Sequence, residues 1–390
     1  MRFKLLSIAY LVCACAPQTA PTPARVTPSD PEAITAAYMD AIRGDPSSLL
    51  LFLRDMPKGG DLHNHLGGSI YAESFVEWAA ADGLCLVQRE LRLKPPPCRP
   101  SAGEIPASQI LRDGKLYGDV IDAWSMRNWN PARENGHDQF FESFGKFGLA
   151  EEGRAGDMLA EVTRRAADQH VIYMELMDRP DGDGVVGMSM SMPLDTNFSA
   201  LRDKLIARGL RDTLQAGRRK LDGWERRQRQ LLACDSSPRP PACDVTVRYL
   251  YQVLRGLPPQ AVFAQILAGF EMTRADPRVV GFNLVMPEDA VVPMRDFNLH
   301  MRMIDFLHGL YPDVKISLHA GELAEGLVPP EGLRFHITQS IDLGHASRIG
   351  HGTAVLHEND PRGLLKKMAD RKILVEIALS SSDAILGIRG

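Results

Sequence analysis

Short apolar runs alternate along most of this chain with longer stretches whose apolar residues recur at three- and four-residue spacing. The runs are "GDLHNHL" (Gly60–Leu66), "VIYMELM" (Val171–Met177), "VTVRYLYQVLR" (Val245–Arg255), "VVGFNLVM" (Val279–Met286), "VKISLHAGE" (Val314–Glu322), "ASRIGHGT" (Ala346–Thr353) and "ILVEIALS" (Ile373–Ser380). Most are rich in Val, Ile and Leu, as strands buried on both faces are. Between them lie candidate amphipathic helices. "DMLAEVTRRAADQH" precedes the second run, and one long, highly charged helix is expected over 201–232. "QAVFAQILAGFEMTR" and "FNLHMRMIDFLHGLY" precede the fourth and fifth runs, and "PRGLLKKMADR" precedes the seventh. Such alternation predicts a parallel sheet, and seven units on one sheet predict an α/β fold of the (β/α)8 TIM-barrel type. A dinucleotide-binding open sheet would place Gly-x-Gly-x-x-Gly after its first strand, and "HLGGSI" lacks that spacing.

Two regions stand outside the alternation. Residues 82–136 hold a Pro-rich loop and "LYGDVIDAWSMRNW", and read as an insertion after the first strand, placed as a lid over one end of the barrel. "HDQFFESFGKF" (His137–Phe147) follows, with aromatics at helical spacing that suit either core packing or a pocket wall. At the N-terminus, residues 1–16 read as an export signal: a basic "MRFK", then an apolar run too short to span a bilayer. "VCAC" (Val12–Cys15) resembles a lipobox, which makes Cys15 a candidate lipid anchor and the protein a periplasmic or secreted one, held to the membrane if lipidated. The Pro- and Thr-rich segment 17–30 reads as an extended tether, and 31–390 as the barrel.

Composition sharpens this picture in two ways. Lys and Arg total 45 against 49 Asp and Glu, a net charge of −4. A general nucleic-acid binder would carry a basic excess, whereas an uncharged nucleoside requires none. Of six cysteines, Cys13 and Cys15 fall in the signal region. The other four form two local pairs, Cys85 with Cys98 and Cys234 with Cys243. Local disulfides are the simplest arrangement in an oxidising compartment, with free packed thiols as the alternative. Neither pair has the spacing of a zinc knuckle.

The residues able to do chemistry sit where strands end. The first run closes in His63-Asn64-His65, and alternation along a strand turns both imidazoles to one side. The fifth closes in His319-Ala320-Gly321-Glu322, and the sixth in Gly350-His351-Gly352. In parallel barrels the C-terminal strand ends build the active site. Each feature alone has an ordinary explanation: a structural histidine, a helix cap, a tight turn. Together they place three candidate metal ligands, a carboxylate and a further imidazole at one mouth.

"MPKGGDLHNHLGGS", "SLHAGE" and "RIGHG", in this order, resemble the signatures of the adenosine deaminase family, over a region from about Met56 onward. The export signal and the insertion are more similar to its secreted, growth-factor-like branch than to its compact cytosolic members. The resemblance implies one zinc ion held by His63, His65 and His319, with Glu322 as proton donor to the purine ring. His351 would assist the attacking water, and His65 and Gly67 would lie against the substrate. It implies hydrolytic deamination of adenosine, or a related purine nucleoside, to inosine and ammonia.

Two departures from the family pattern are visible. Compact members carry an acid two residues after the second histidine, where it contacts ribose; here that position is Gly67. The family's further aspartate ligand closes strand eight, whereas "VEIALSSSDAILGIRG" resembles strand seven and the start of its helix. An incomplete barrel, truncated before strand eight, is therefore expected. Asp383, after a serine run, reads as a helix cap rather than a substitute ligand. An inactive secreted protein that binds nucleoside or metal, and a different metal-dependent hydrolase on the same barrel, stay open as alternatives.

Overall fold

The computed structural model describes residues 30–388. The expected export signal, the Cys15 anchor and the tether up to residue 29 lie outside the described residues. Contacts divide the chain into two units at Met56 and Pro57. The first holds two helices, Pro31–Ile42 and Pro46–Asp55. Asp30 and Asp45 accept from the backbone N–H of Glu32 and Ser47, and each helix opens on proline, whose missing N–H costs nothing there.

The second unit carries the sheet. Strand β1 (Gly59–His65) is followed by the inserted region, in which β2 (Cys85–Val87), β3 (Arg92–Lys94) and β4 (Glu104–Pro106) form a small antiparallel sheet of order β3-β2-β4. The main sheet resumes with β5 (Val171–Asp178), β6 (Thr246–Leu254), β7 (Val279–Val285), β8 (Ser317–Ala320), β9 (Arg348–His351) and β10 (Leu374–Glu376). Strands β1, β5, β6 and β7 pair in that order, as do β8, β9 and β10, all in parallel. A parallel bridge between Phe282 and Ile316 joins the two groups. All seven apolar runs are therefore strands of one incomplete TIM-type barrel, with β1 and β10 outermost among the described residues. Both predicted helices flanking β7 form, Pro259–Ala275 and Val291–Leu310, and Phe263, Phe270, Phe297 and Met301 fill the layer behind the sheet.

The structure corrects two expectations. The long helix over 201–232 is two helices, Phe198–Ala207 and Leu210–Leu231. The break falls at Gly209, whose φ of 94° lies in the left-handed region that costs glycine least. Asp383 lies inside the last turn of the helix Leu379–Ala384 and does not cap its start, where Ala378 stands.

The cysteines pair locally, Cys85 with Cys98 and Cys234 with Cys243. The first bridge ties β2 to the loop after β3, and the second closes the loop before β6. The aromatic helix Gly136–Phe147 does both things its sequence allowed. Phe147 stacks on Phe75 in the core with ring centroids 4.4 Å apart, while Phe144 reaches Gly68 at the end of β1.

This helix is fastened to the barrel by His137. Its Nε2 lies 3.0 Å from Asp289 and its Nδ1 3.0 Å from Asp138. The hydrogen bond to Asp289, reinforced by Asp138 against partial burial, lifts the imidazole pKa to about 9. A pKa raised on folding stabilises fully below the unfolded value of about 6.5, and that contribution fades as pH rises through about 9. His137→Gln is expected to lower stability by roughly 1–2 kcal/mol at pH 6. Denaturant titrations of both proteins from pH 6 to pH 10 should show the difference closing; a constant difference would mean the imidazole is not charged in this contact.

Candidate metal centre and active site

The ends of β1, β8 and β9 bring four imidazoles together. The ring centroid of His63 lies 5.5 Å from that of His65, 4.5 Å from His319 and 4.8 Å from His351. One ligand atom from each of His63, His65 and His319 lies within 4.8 Å of the others, and His319, Glu322 and His351 form a second such group. The Nε2 atoms of His65 and His319 are 3.1 Å apart. Nitrogen atoms on a tetrahedral ion with bonds of about 2.0–2.1 Å sit at about that separation.

The far side of each ring fixes which nitrogen is free. Asn283 of β7 accepts from both the backbone N–H and the Nδ1 of His319, each at 2.8 Å, which leaves Nε2 as the lone-pair atom facing His65. Glu376 of β10 accepts from His63 Nδ1 at 2.8 Å. Partners of this kind orient metal-binding imidazoles and raise their basicity. Gln252 of β6 lies against His65. Burial, with His63 close by, pushes His65 and His351 down to about 3 and drives His319 well below the ordinary range. Neutral imidazole is the form that binds a metal. The donor set therefore fits a zinc ion held by His63, His65 and His319.

Glu376 also accepts from Ser317 at 3.0 Å and from Arg348 at 2.8 Å, so its carboxylate is fully engaged beneath His63. Glu376→Gln is expected to weaken zinc binding about 10–100-fold, the usual effect of removing such an orienting carboxylate. Competition with a chromogenic chelator measures it. Unchanged affinity would show that the His63 ring is positioned by something else.

The glycines of the motifs have geometric causes. A Cβ on Gly350 would lie 2.8 Å from Cε1 of His63, so only glycine lets β9 pass that ring. His351 and Gly352 have φ of 70° and 65°, two successive left-handed residues that turn the chain sharply as β9 ends. For a histidine this is a sparsely populated conformation of the kind that gathers at functional sites. Gly321 has φ of 73°, and its N–H and that of Glu322 both donate to Glu288 at 2.9 Å. Glu288 is itself buried; burial opposes its ionisation, but contact with His336 and the nearby Arg255 hold it down to about 2. Arg255, fully buried, donates to the carbonyl of His319 at 3.2 Å.

Glu322 is thereby held at the mouth. Burial and the neighbouring negative charge of Glu288 raise its carboxyl to about 7. One of its oxygens lies 3.5 Å from Nε2 of His351. Nδ1 of His351 is buried without a hydrogen-bond partner. Gly67, just past β1, lies at the same mouth under the carboxylate of Glu151. That residue, with Asn283, Gln252, Glu288 and Glu376, is what sequence reasoning missed. Asn283 and Glu376 did carry a signal, as lone polar positions inside otherwise apolar runs.

A partial (β/α) barrel whose strand ends gather three histidines around one point, beside a carboxyl held near neutrality, offers a site for one metal ion with a proton donor next to it. Residues 225–387 match the family model for adenosine deaminase. The segment holds His319, Glu322 and His351; His63 and His65 lie before it. No curated protein sequence matches the chain. Among solved structures, the ADAL–IMP complex is similar with a TM-score of 0.52 at 18% identity, over 87% of this chain and 76% of that one. The N6-mAMP deaminase of arabidopsis gives 0.49 at 18% identity, over 87% and 76%. A zinc-bound cog1816 amidohydrolase from Burkhoderia ambifaria gives 0.41 at 18% identity, over 84% and 67%. At such identity the first likeness speaks for the fold.

Proposed function

We propose that this protein hydrolytically removes the 6-amino group of adenosine or a closely related purine nucleoside, with zinc held by His63, His65 and His319. The observation that carries the reading is the convergence of these three imidazoles with Glu322 and His351 at one barrel mouth. The family match supports it. When bound, zinc supplies Lewis acidity that brings a water molecule's pKa toward neutrality.

The protein's own groups do the rest. Glu322, substantially protonated near pH 7, donates to a ring nitrogen of the purine and makes the carbon bearing the amino group more electrophilic. His351, neutral and facing Glu322, accepts or orients a proton of the attacking water and lies where negative charge develops. The surrounding burial strengthens each of these interactions. Ammonia leaves as the ring becomes a 6-oxopurine.

The two disulfides support export to an oxidising compartment, with Cys15 as a candidate site of lipidation. The test is direct. Protein loaded with zinc is incubated with adenosine and the loss of adenine-type absorbance is followed, with ammonia measured in parallel. Turnover is expected. Adenosine binding with no product would replace this reading by that of a binding protein, and turnover on another amide or amine alone would reject the substrate.

A further inference from the structure

We infer that Arg255 is a positioning residue that holds two halves of the barrel in the register the metal centre needs; this rests on the reading of His63, His65 and His319 as zinc ligands. The centre straddles a discontinuity in the sheet. His63 and His65 belong to β1, in the ladder β1-β5-β6-β7, whereas His319 belongs to β8, in the ladder β8-β9-β10. Among the described residues one isolated bridge, Phe282 with Ile316, joins the two ladders through backbone. Yet the Nε2 atoms of His65 and His319 lie 3.1 Å apart, a spacing that a small shear between the halves would destroy.

Below the mouth the two halves meet through backbone. A Cβ on Gly281 would lie 2.6 Å from the carbonyl oxygen of Lys315, so glycine lets the chains approach there. Nearer the mouth, side chains take over. The carbonyls of Ile316 and Ala320 accept from Ser347 and Gly352, on the β9 side. Alternation along β8 therefore turns the N–H and carbonyl of His319 the other way, toward β7. Side chains meet them there: Asn283 accepts from the N–H at 2.8 Å, and Nη1 of Arg255 donates to the carbonyl at 3.2 Å.

The same guanidinium reaches a third strand. Arg255 directly follows β6, and its Nε and Nη2 donate at 3.2 and 3.0 Å to the carbonyl of Met286, which directly follows β7. One side chain thus ties together the mouth ends of β6, β7 and β8. Met286 stands at φ 85°, in the left-handed region that is unfavourable for a residue with a side chain. Arg255 itself is fully buried, and the carboxylate paired with it, Glu288, stands 4.0 Å away. Burying a cation mainly against carbonyls is costly. What it achieves is geometric: a planar fork of fixed donors grips two carbonyls at once, which the point charge of a lysine does not reproduce.

The test uses Arg255→Lys and Arg255→Met, with Phe263→Leu as a control that thins the helix layer against Phe198 and Phe306, away from the mouth. Zinc affinity by chelator competition, stability in denaturant and adenosine kinetics at saturating zinc are measured on each. Both Arg255 variants are expected to bind zinc about 10–100-fold more weakly, as when an orienting partner is removed. Their kcat should fall about 10–100-fold with a far smaller change in KM, the mark of displaced groups rather than lost binding. Phe263→Leu should lose stability and keep wild-type affinity and kcat. Arg255 variants that lose only stability would overturn the inference. Zinc affinity is read without substrate, so the result stands apart from the deaminase reading. Should neither variant fold, the metal-free wild type decides. Deuterium exchange over residues 315–322 should already be slow before zinc is added; fast exchange, slowed only by zinc, would show that the ion and not Arg255 holds the halves together. If the wild type binds no zinc, the metal reading fails instead. The same exchange, compared with Arg255→Lys, then reads the clamp alone: faster exchange in the variant supports it, and equal exchange overturns it.

Discussion

His319→Ala is expected to remove zinc and turnover together while the barrel stays folded. His319 stands at the centre of the cluster, shared by both groups of converging ligand atoms. It is the imidazole whose orientation is most tightly determined, by Asn283 on one side and Arg255 on its carbonyl. Loss of an orienting partner costs about 10–100-fold in metal affinity, and loss of a ligand itself should exceed that. Metal content after dialysis, measured beside circular dichroism, reads the result. The alanine leaves a small cavity and removes one of the two hydrogen bonds that Asn283 accepts, the bond from the backbone N–H remaining, so about 1 kcal/mol of stability will also be lost. A variant that keeps one zinc per chain at wild-type affinity would remove His319 from the metal centre, and with it the proposed mechanism.

The second large effect is expected from Glu322→Gln. The amide is nearly the same size, so the turn held by Glu288 should stay in place; what disappears is the proton. Zinc content should therefore be unchanged, while kcat falls about 10²–10⁴-fold, the range for loss of a positioned general acid. KM for adenosine should move far less than kcat. Steady-state kinetics with parallel metal analysis separates this outcome from loss of the metal. A variant with kcat within a factor of a few of wild type would show that protonation of the ring comes from elsewhere, and His351 would be the next residue to replace.

The strands and the histidine motifs were legible for the same physical reason. Strands covered on both faces leave unbroken apolar runs in the sequence, and any polar or glycine residue interrupting their ends is conspicuous. His63, His65, His319 and His351 all lie at such interruptions. The glycines beside them could be read as tight or close-packed positions, although only coordinates show that Gly350 yields to the His63 ring and Gly321 to Ile337. Asn283 and Glu376 were visible as polar residues in apolar runs but had no assignable role, since their partners sit on other strands. Glu151 was invisible. "GLAEEGR" is a common type of polar turn, and nothing local pairs that glutamate with a glycine far earlier in the chain. The break at Gly209 was hidden for the opposite reason: the charged, amphipathic pattern runs straight through it, and a single left-handed glycine leaves the period almost undisturbed.

The Glu376 carboxylate touches His63 on β1, Ser317 on β8 and Arg348 on β9, and Arg348 in turn reaches Glu175 on β5. The outermost strands, which share no backbone ladder, are thus stitched through the barrel interior by charge. An ion captured at His63 draws on the same carboxylate that anchors the last strand, so the two events are thermodynamically linked. Loading the metal should slow exchange of the backbone amides of Leu374–Glu376, and fraying of that strand should in turn loosen the ion: the seam of the barrel doubles as a gauge of whether its centre is filled.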